Sequence, residues 1–487
     1  MRDQSVFAAS APARAALPGW ALASLYVAAA LLPLVLAVGT GVPPADAWSE
    51  AGTAAGSVAL ASMAVQFVTS GRFETFAGRL GIDVTMAFHK QAARWILMAV
   101  ILHPLLYVAP TLIDNPARGV DRILGMFAAP RLATGVVAWL AAILLVLLAV
   151  LRERLPFPYE AWRGGHLVLA VVAVAGGLHH ALTVGTYAAE RIVAIAWLAV
   201  AGLVVASIAV LYGVRWWRLR RDGWRLVSNT KIGTALWELE LAPERDTGTF
   251  RYGAGQFVWM TVAPRLFPLF DHPFSIASSP RQPGLRLVIK EIGDFTRRIG
   301  EVKPGTRIGI DGPHGSFAVD GRDADAILLV AGGVGIAPIL GLLRDLAASA
   351  DPRPVRLVYG GGSPDKIVAQ REIAEFASLI DLEVDLVSET PAAGWKGSVG
   401  MIDRARLEVA LRGLDRTRTL AMICGRHGMI TSAADALLDL GLPIQNVVYE
   451  RFDYSAGPGS RADRRQNGRF AAIGLVLAAG AAAFALR

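Results

Sequence analysis

Apolar positions in this chain come first in long unbroken runs and then in short, often alternating ones. Runs near 18–38, 51–70, 86–109, 131–151, 164–184 and 191–213 carry few charges. Each approaches the ~20 residues that cross a bilayer as helix, so they predict six transmembrane helices over 18–214. Beyond Arg215 the pattern changes. Ala235–Leu241, Gln256–Val262, Leu285–Lys290 and Arg307–Ile310 are short, and Gly or Pro separates them. That spacing predicts an antiparallel β-barrel over 215–322. Within 323–454, apolar strands at Ala326–Ala331, Arg356–Tyr359, Glu383–Val387 and Thr419–Cys424 alternate with helical stretches at Ile339–Ala348 and Arg371–Leu379. This predicts an α/β domain with a parallel, nucleotide-binding sheet. A polar linker at 455–469 then leads to a small-residue apolar run at 470–487. We read that run as a seventh helix, its alternative being an amphipathic or disordered tail. Residues 1–17 are expected as a short cytosolic segment.

Composition adds a membrane to this picture. The chain has 487 residues, 54% of them hydrophobic and 18% charged, with the apolar excess concentrated before Tyr212 and after Phe470. The first run, Trp20 to Val38, is longer than the roughly 7–15 residues of a signal-peptide core, which favours a retained helix. The net charge of +8 does not point to nucleic acid, because many basic residues flank the apolar runs, as in Arg215–Arg221. Such clusters mark a cytoplasmic face. Arg72 and Arg79, then Arg152, Arg154 and Arg163, then Arg215–Arg221 place three connections and the chain's second half in the cytoplasm. Arg118, Arg122 and Arg131, in the Asn115–Arg131 loop, run against that trend. The lone Cys424 excludes an internal disulfide and a zinc–cysteine cluster. No C-x-x-C-H stretch is present, so any haem is held without a covalent link.

Four histidines stand inside two of the apolar runs: His89 and His103 in one, His166 and His179 in the other. A polar ring at membrane depth is costly and usually functional. Neutral imidazole is a good axial ligand for haem iron. Two histidines from each helix would hold two haems, one near each face, about 20 Å apart at a rise of about 1.5 Å per residue. Fourteen residues bring His103 back almost to the face of His89. By the same rule His180 aligns with His166 better than His179 does, unless Gly176-Gly177 unwinds the helix locally. The alternative role for these rings is bonding across helices or lining a proton path.

The second half carries motifs in a telling order. His272-Pro-Phe-Ser275 ends a barrel strand, and Gly293-Asp-Phe-Thr296 is expected to open a helix whose N–H groups suit a pyrophosphate. Asp311-Gly-Pro-His-Gly-Ser-Phe317 follows. Gly332-Gly-Val-Gly-Ile-Ala-Pro338 lies between the first strand and helix of the α/β domain, where glycine lets backbone approach a second pyrophosphate. Cys424-Gly-Arg426 and Glu450-Arg-Phe452 close the series.

On these motifs, residues from about 225 to 454 resemble the ferredoxin-NADP reductase family. With the helical block before them, residues from roughly 50 to 454 resemble bacterial ferric reductase-like and NADPH oxidase-like transmembrane flavocytochromes. The resemblance implies FAD, NADPH or NADH as donor, and two b-type haems as iron centres. It implies flavin contacts for His272, Pro273, Phe274 and Ser275, and pyrophosphate contacts for Gly293 and Thr296. Gly333, Gly335 and Pro338 would shape the nicotinamide-nucleotide loop. Cys424 and Gly425 would flank the nicotinamide, although Arg426 replaces the family's usual proline. Phe452 would cover the flavin, with Glu450 nearby. The metal ligands implied are His89, His103, His166 and His179, with His180 as the rival to the last.

The implied activity is electron transfer from cytosolic NAD(P)H, through FAD and the haems, to a small acceptor beyond a bacterial cytoplasmic membrane. Ferric iron and dioxygen, which would give superoxide, both fit, and a quinone or a separate redox partner is the alternative. Lys366 and Arg371 after the second α/β strand leave the choice of nucleotide open.

Overall fold

The computed structural model describes residues 17–70, 81–245, 250–451 and 459–487. They fall into two compact units, one of 17–214 with 466–487 and the other of 215–465.

The first unit is helical. It contains α1 (Gly19–Gly39), α2 (Ala47–Val68), α3 (Ile82–Asp114), α4 (Pro116–Ala128), α5 (Ala133–Val150), α6 (Tyr159–Thr183) and α7 (Arg191–Ile208). Asp46 caps α2 by accepting from the N–H groups of Trp48 and Ser49. The outer surface of these helices is apolar: Met98 is 58% exposed, Val150 75% and Leu198 60%. Large exposed apolar side chains on long helices are what hydrocarbon solvates, not water. Many of the residues buried between helices are small. Ala54, Ala59, Ala61, Ala64, Ala141, Ala142 and Ala173 allow close approach where no hydrophobic force draws helices together. Among the described residues, seven helical segments are long and apolar enough to cross a membrane.

The segment expected as the Asn115–Arg131 loop instead contains the amphipathic helix α4, with Asn115 accepting from the N–H of Arg118 at its start. Its exposed Val120, Leu124 and Phe127 make an apolar stripe beside charged neighbours. That pattern belongs to a helix lying in the membrane interface. A π-helical turn, Ala209–Val214, follows α7 and leads into the short α8 (Arg215–Arg221).

The second unit is built on two sheets. The first holds β1 (Trp224–Gly233), β2 (Leu236–Pro243), β3 (Phe257–Val262), β4 (His272–Ser275), β5 (Leu285–Lys290) and β6 (Arg307–His314) in the order β4-β3-β6-β1-β2-β5. All its pairings are antiparallel. An isolated bridge between Ile276 and Leu287 brings its two edge strands together at one point. Leu226, Leu239, Leu241, Met260, Leu285 and Leu287 fill its interior.

The second sheet is wholly parallel, in the order β10-β9-β8-β7-β11-β12. Its strands are β7 (Ala326–Gly332), β8 (Val355–Gly361), β9 (Leu382–Ser388), β10 (Ser398–Val399), β11 (Thr419–Gly425) and β12 (Val447–Arg451). Its helices are α9 (Ile336–Ala348), α10 (Gln370–Phe376), α11 (Arg404–Ala410) and α12 (His427–Asp439). Along β7, Ile327 and Leu329 join one core while Leu328 and Val330 join another. Burial on both faces explains why these strands read as continuous apolar runs. The buried Arg344 on α9 ties the sheets together, bonding Glu238 at 2.9 Å, Glu372 at 2.7 Å and the Ala277 carbonyl at 2.7 Å.

The last element is α13 (Arg461–Ala485). Its first turn belongs to the second unit, where Asp463 accepts from Arg451, Tyr449 and Ser460. Its later part belongs to the helical unit. There Phe470 meets Phe88, Leu477 and Phe484 are buried, and a Cβ on Gly474 or Gly480 would touch Trp95 or Leu31. A helix rather than a loose tail thus occupies the final apolar run.

Candidate active site

Two histidine pairs face each other inside the helical unit. His89 on α3 and His166 on α6 have ring centroids 6.3 Å apart, tilted by 49°. Fourteen residues further along both helices, His103 and His180 have centroids 6.3 Å apart, at 85°. Gly176 and Gly177 do not unwind α6, which is helical from Tyr159 to Thr183. A regular helix returns to its face after 14 residues, not 13, so His180 faces His103. His179 is exposed, with Nδ1 hydrogen-bonded to Thr134 Oγ1 at 3.1 Å. The expectation that placed His179 opposite His103 is therefore corrected to His180.

The surroundings of the two pairs differ. The His166 ring lies 5.4 Å from that of Trp162. His103 Nδ1–H donates to the Gly52 carbonyl at 2.8 Å. A Cβ on Gly56 would lie 2.5 Å from His103 Nδ1, and one on Gly135 would lie 2.6 Å from His180 Nδ1. Both rings rest on bare backbone. An iron bound by two imidazoles through bonds of about 2 Å each leaves ring centroids roughly 6 Å apart. Each pair fits that spacing. Among the described residues no group of three or more His, Cys, Asp or Glu converges as a metal site. Two ligands are what a haem needs, since its porphyrin supplies the other four.

In the second unit, three side chains line up across adjacent strands. Phe257 on β3 is paired with Ser275 on β4 and with His314 on β6. Ser275 and His314 are buried, as is Glu450 at the end of β12. A Cβ on Gly315 would lie 3.2 Å from Glu450 Oε1, so Glu450 reaches the same row. Asp311 is 3.5 Å from His314 Nε2 and 3.0 Å from the buried Arg215 guanidinium. His272 stacks on Phe295 at 4.1 Å; Pro273 and Phe274 complete β4. The expected helix at Gly293–Thr296 is a 3-10 turn over Thr296–Glu301, and Thr296 Oγ1 accepts from the N–H of Gly293 at 3.0 Å.

The glycine loop lies where the order of the parallel sheet reverses, between β7 and β11. In open α/β sheets ligands bind at that point, beyond the strands' C-terminal ends. A Cβ on Gly335 would lie 2.1 Å from the Cys424 carbonyl, and Gly333 has φ +56°. Both positions exclude ordinary side chains. Pro338 is buried in the first turn of α9. Cys424 is buried and pairs with Glu450, while Gly425 pairs with Arg451. The expected sites at Cys424, Gly425 and Glu450 therefore share one end of the sheet; Phe452 lies outside the described residues. The motif Asp311–Phe317 was recognisable, but no role for His314 or Asp311 was assigned from it. Their cross-strand row is a tertiary feature, although a histidine within a Gly-Pro-x-Gly turn was a usable signal.

Two comparisons with known proteins bear on this arrangement. Residues 55–177 match the family described as "Ferric reductase like transmembrane component", 238–318 match "FAD-binding domain" and 329–435 match "Oxidoreductase NAD-binding domain". "NADH-cytochrome b5 reductase 1" of Laccaria bicolor is 25% identical over 33% of this chain and 54% of its own length. "Sulfhydrogenase 2 subunit gamma" of Pyrococcus furiosus is 30% identical over 42% of this chain and 74% of its own. "Respiratory burst oxidase homolog protein F" of Arabidopsis thaliana is 26% identical over 54% of this chain and 32% of its own. The matched stretch is thus about half of the first relative's length and about a third of the last's.

Apolar spanning helices joined to FAD- and NAD-binding domains define a multi-pass membrane oxidoreductase. This chain joins a ferric reductase-like transmembrane domain to FAD- and NAD-binding domains of the ferredoxin-NADP reductase type.

Proposed function

We propose that this chain carries electrons from NAD(P)H, by way of FAD and two b-type haems, to an acceptor on the opposite side of the membrane. The observation that carries this reading is the repeated imidazole pair: two facing sets at 6.3 Å, each 14 residues from its counterpart on both helices. A rise of about 1.5 Å per residue separates the sets by roughly 21 Å, one in each leaflet.

His89 and His166 would hold the inner haem, and His103 and His180 the outer one. Nicotinamide gives up two electrons as hydride, haem iron accepts one, and FAD handles both, which is why the chain needs all three. Held by the two imidazoles of each pair, the haems would supply one-electron transfer to an acceptor. Ferric chelates and dioxygen, the latter yielding superoxide, both accept in that way.

The domain bounds proposed are 18–214 for the haem bundle, 215–322 for FAD, 323–454 for the nucleotide, 455–469 for the linker and 470–487 for the last crossing. His272, Pro273, Phe274 and Ser275 position the flavin, and Gly293 and Thr296 lie towards its pyrophosphate. Gly333, Gly335 and Pro338 admit the nicotinamide nucleotide. Gly425 gives its ring room beside Cys424, and Glu450 with Phe452 completes the site. Arg152, Arg154, Arg163 and Arg215–Arg221 favour a bacterial cytoplasmic membrane with the flavin-type unit inside the cell.

A reduced-minus-oxidised spectrum of the purified chain tests this, with two b-type haems per chain expected. Flavin without haem overturns the reading and leaves an anchored flavin reductase that serves a separate partner or quinone. NAD(P)H oxidation with a ferric chelate or dioxygen as sole acceptor then identifies the acceptor.

A further inference from the structure

One buried charge in the helical unit is not used by this electron path. Glu50, in the first turn of α2, is fully buried. Three elements converge on its carboxylate. The Tyr187 hydroxyl, between α6 and α7, lies 3.0 Å from both oxygens. The Ala45 N–H donates to Oε1 at 3.0 Å. The Arg487 guanidinium, just beyond α13, lies 3.2 Å from Oε2. Arg487 also donates to the Tyr187 hydroxyl and stacks 3.6 Å over the ring of Phe484.

This cluster adjoins the outer histidine pair. Two residues after Glu50, the Gly52 carbonyl accepts from His103 Nδ1. One residue further, Thr53 Oγ1 bonds Tyr107 at 2.8 Å and Thr186 at 3.0 Å. The carboxylate therefore shares a helical turn with the group that orients a proposed outer ligand. A buried carboxylate near an iron centre favours the ferric over the ferrous state, and at low dielectric that bias is large. A guanidinium paired with the carboxylate cancels most of it.

We propose that Arg487 sets the redox potential of the outer haem by neutralising Glu50, with Tyr187 holding the carboxylate in place. The inference rests on the haem reading above. It assigns the seventh helix an electrostatic task in addition to anchoring. Among the described residues, the titratable and charged groups facing Glu50 are Tyr187, from the α6–α7 connection, and Arg487, from the end of α13. Without Arg487 the carboxylate loses the one cation that faces it among the described residues.

The test is spectroelectrochemical titration of both haems in the detergent-purified full chain. Arg487→Gln is expected to move the outer potential negative, while the inner potential stays as an internal reference. The double variant Glu50→Gln/Arg487→Gln removes both charges and returns the outer potential towards the parent value. Arg487→Lys keeps the charge and holds it near that value. Should Arg487→Gln not fold, Tyr187→Phe withdraws one partner of the carboxylate and is expected to give a smaller negative shift. Two bound haems with an unmoved outer potential overturn this inference alone, as does a double variant that shifts as far as the single one. A chain with no haem overturns it together with the haem reading.

Discussion

The two ends of the helical unit seat their imidazoles by opposite means. At one end His166 leans on an aromatic wall, Trp162, and the two rings are tilted by 49°. At the other, His103 and His180 stand almost perpendicular, each on a glycine, with Nδ1 of His103 tied to a backbone carbonyl. A side-chain wall can adjust by a rotamer, whereas bare backbone has no give. The outer pair is thus predicted to be intolerant of added atoms and the inner pair forgiving.

The largest effect tests whether the pairs are ligand pairs at all. His103→Ala and His180→Ala are each expected to lose one of two haems and abolish reduction of the far-side acceptor, with NAD(P)H-to-flavin transfer intact. His179→Ala should keep both haems. Haem content per chain decides this, and a lost haem in the His179 variant would restore the sequence-based assignment. Gly56→Val comes next. Its Cβ would lie 2.5 Å from His103 Nδ1, and forced overpacking costs about 1–3 kcal/mol. The outer haem should bind roughly tenfold or more weakly in a haem titration, with the inner one unchanged. Trp162→Leu should cost the inner site about 0.5–1.5 kcal/mol, the scale of one aromatic contact. Equal losses in these two variants would erase the contrast between the ends.

Two smaller effects serve as controls, because neither should touch a haem band. Gly335→Val would drive a Cβ to 2.1 Å from the Cys424 carbonyl, so nucleotide affinity should fall with both haem spectra preserved. An unchanged nucleotide Kd would remove the loop from the site. Lys366→Ala should weaken NADPH about tenfold more than NADH, the scale of one charge-assisted hydrogen bond. Burial, and then the charges of Arg426 and Lys366, hold Lys290 below the ordinary lysine range. Its positive charge is lost as pH rises through that lowered value. Any contribution of that charge to nucleotide binding is therefore expected to fade at alkaline pH, measured as nucleotide Kd against pH.

Much of this was legible along the chain, for physical reasons that differ by residue. Strands such as β7 and β11 were readable because burial on both faces leaves no polar position to interrupt them. β1 was not singled out, since Arg225, Ser228, Asn229 and Lys231 break its apolar pattern. Charges also disguised α4 as a loop. The 14-residue spacing of the histidines was visible, and helical periodicity alone favoured His180. The family resemblance pointed to His179 instead, with the glycine pair read as a place where the helix could unwind. A Cβ on Gly176 would sit 3.0 Å from the Thr134 carbonyl, and one on Gly177 2.8 Å from Leu60. Those glycines let neighbouring helices close in. Gly56 and Gly135 were silent for a related reason, because their significance lies on partner helices.

The course of α13 has a practical consequence for anyone dissecting this molecule. Asp463 braces the strand that bears Glu450, yet it opens the same rod that ends among greasy neighbours. A soluble reductase fragment cut after Arg451 sheds the sticky rod but loses the brace, and its last strand is left to fray at the sheet edge. A fragment that retains the whole helix keeps the brace and needs detergent. The better cut is just past Arg465, which spares the clasp and discards most of the lipid-loving stretch.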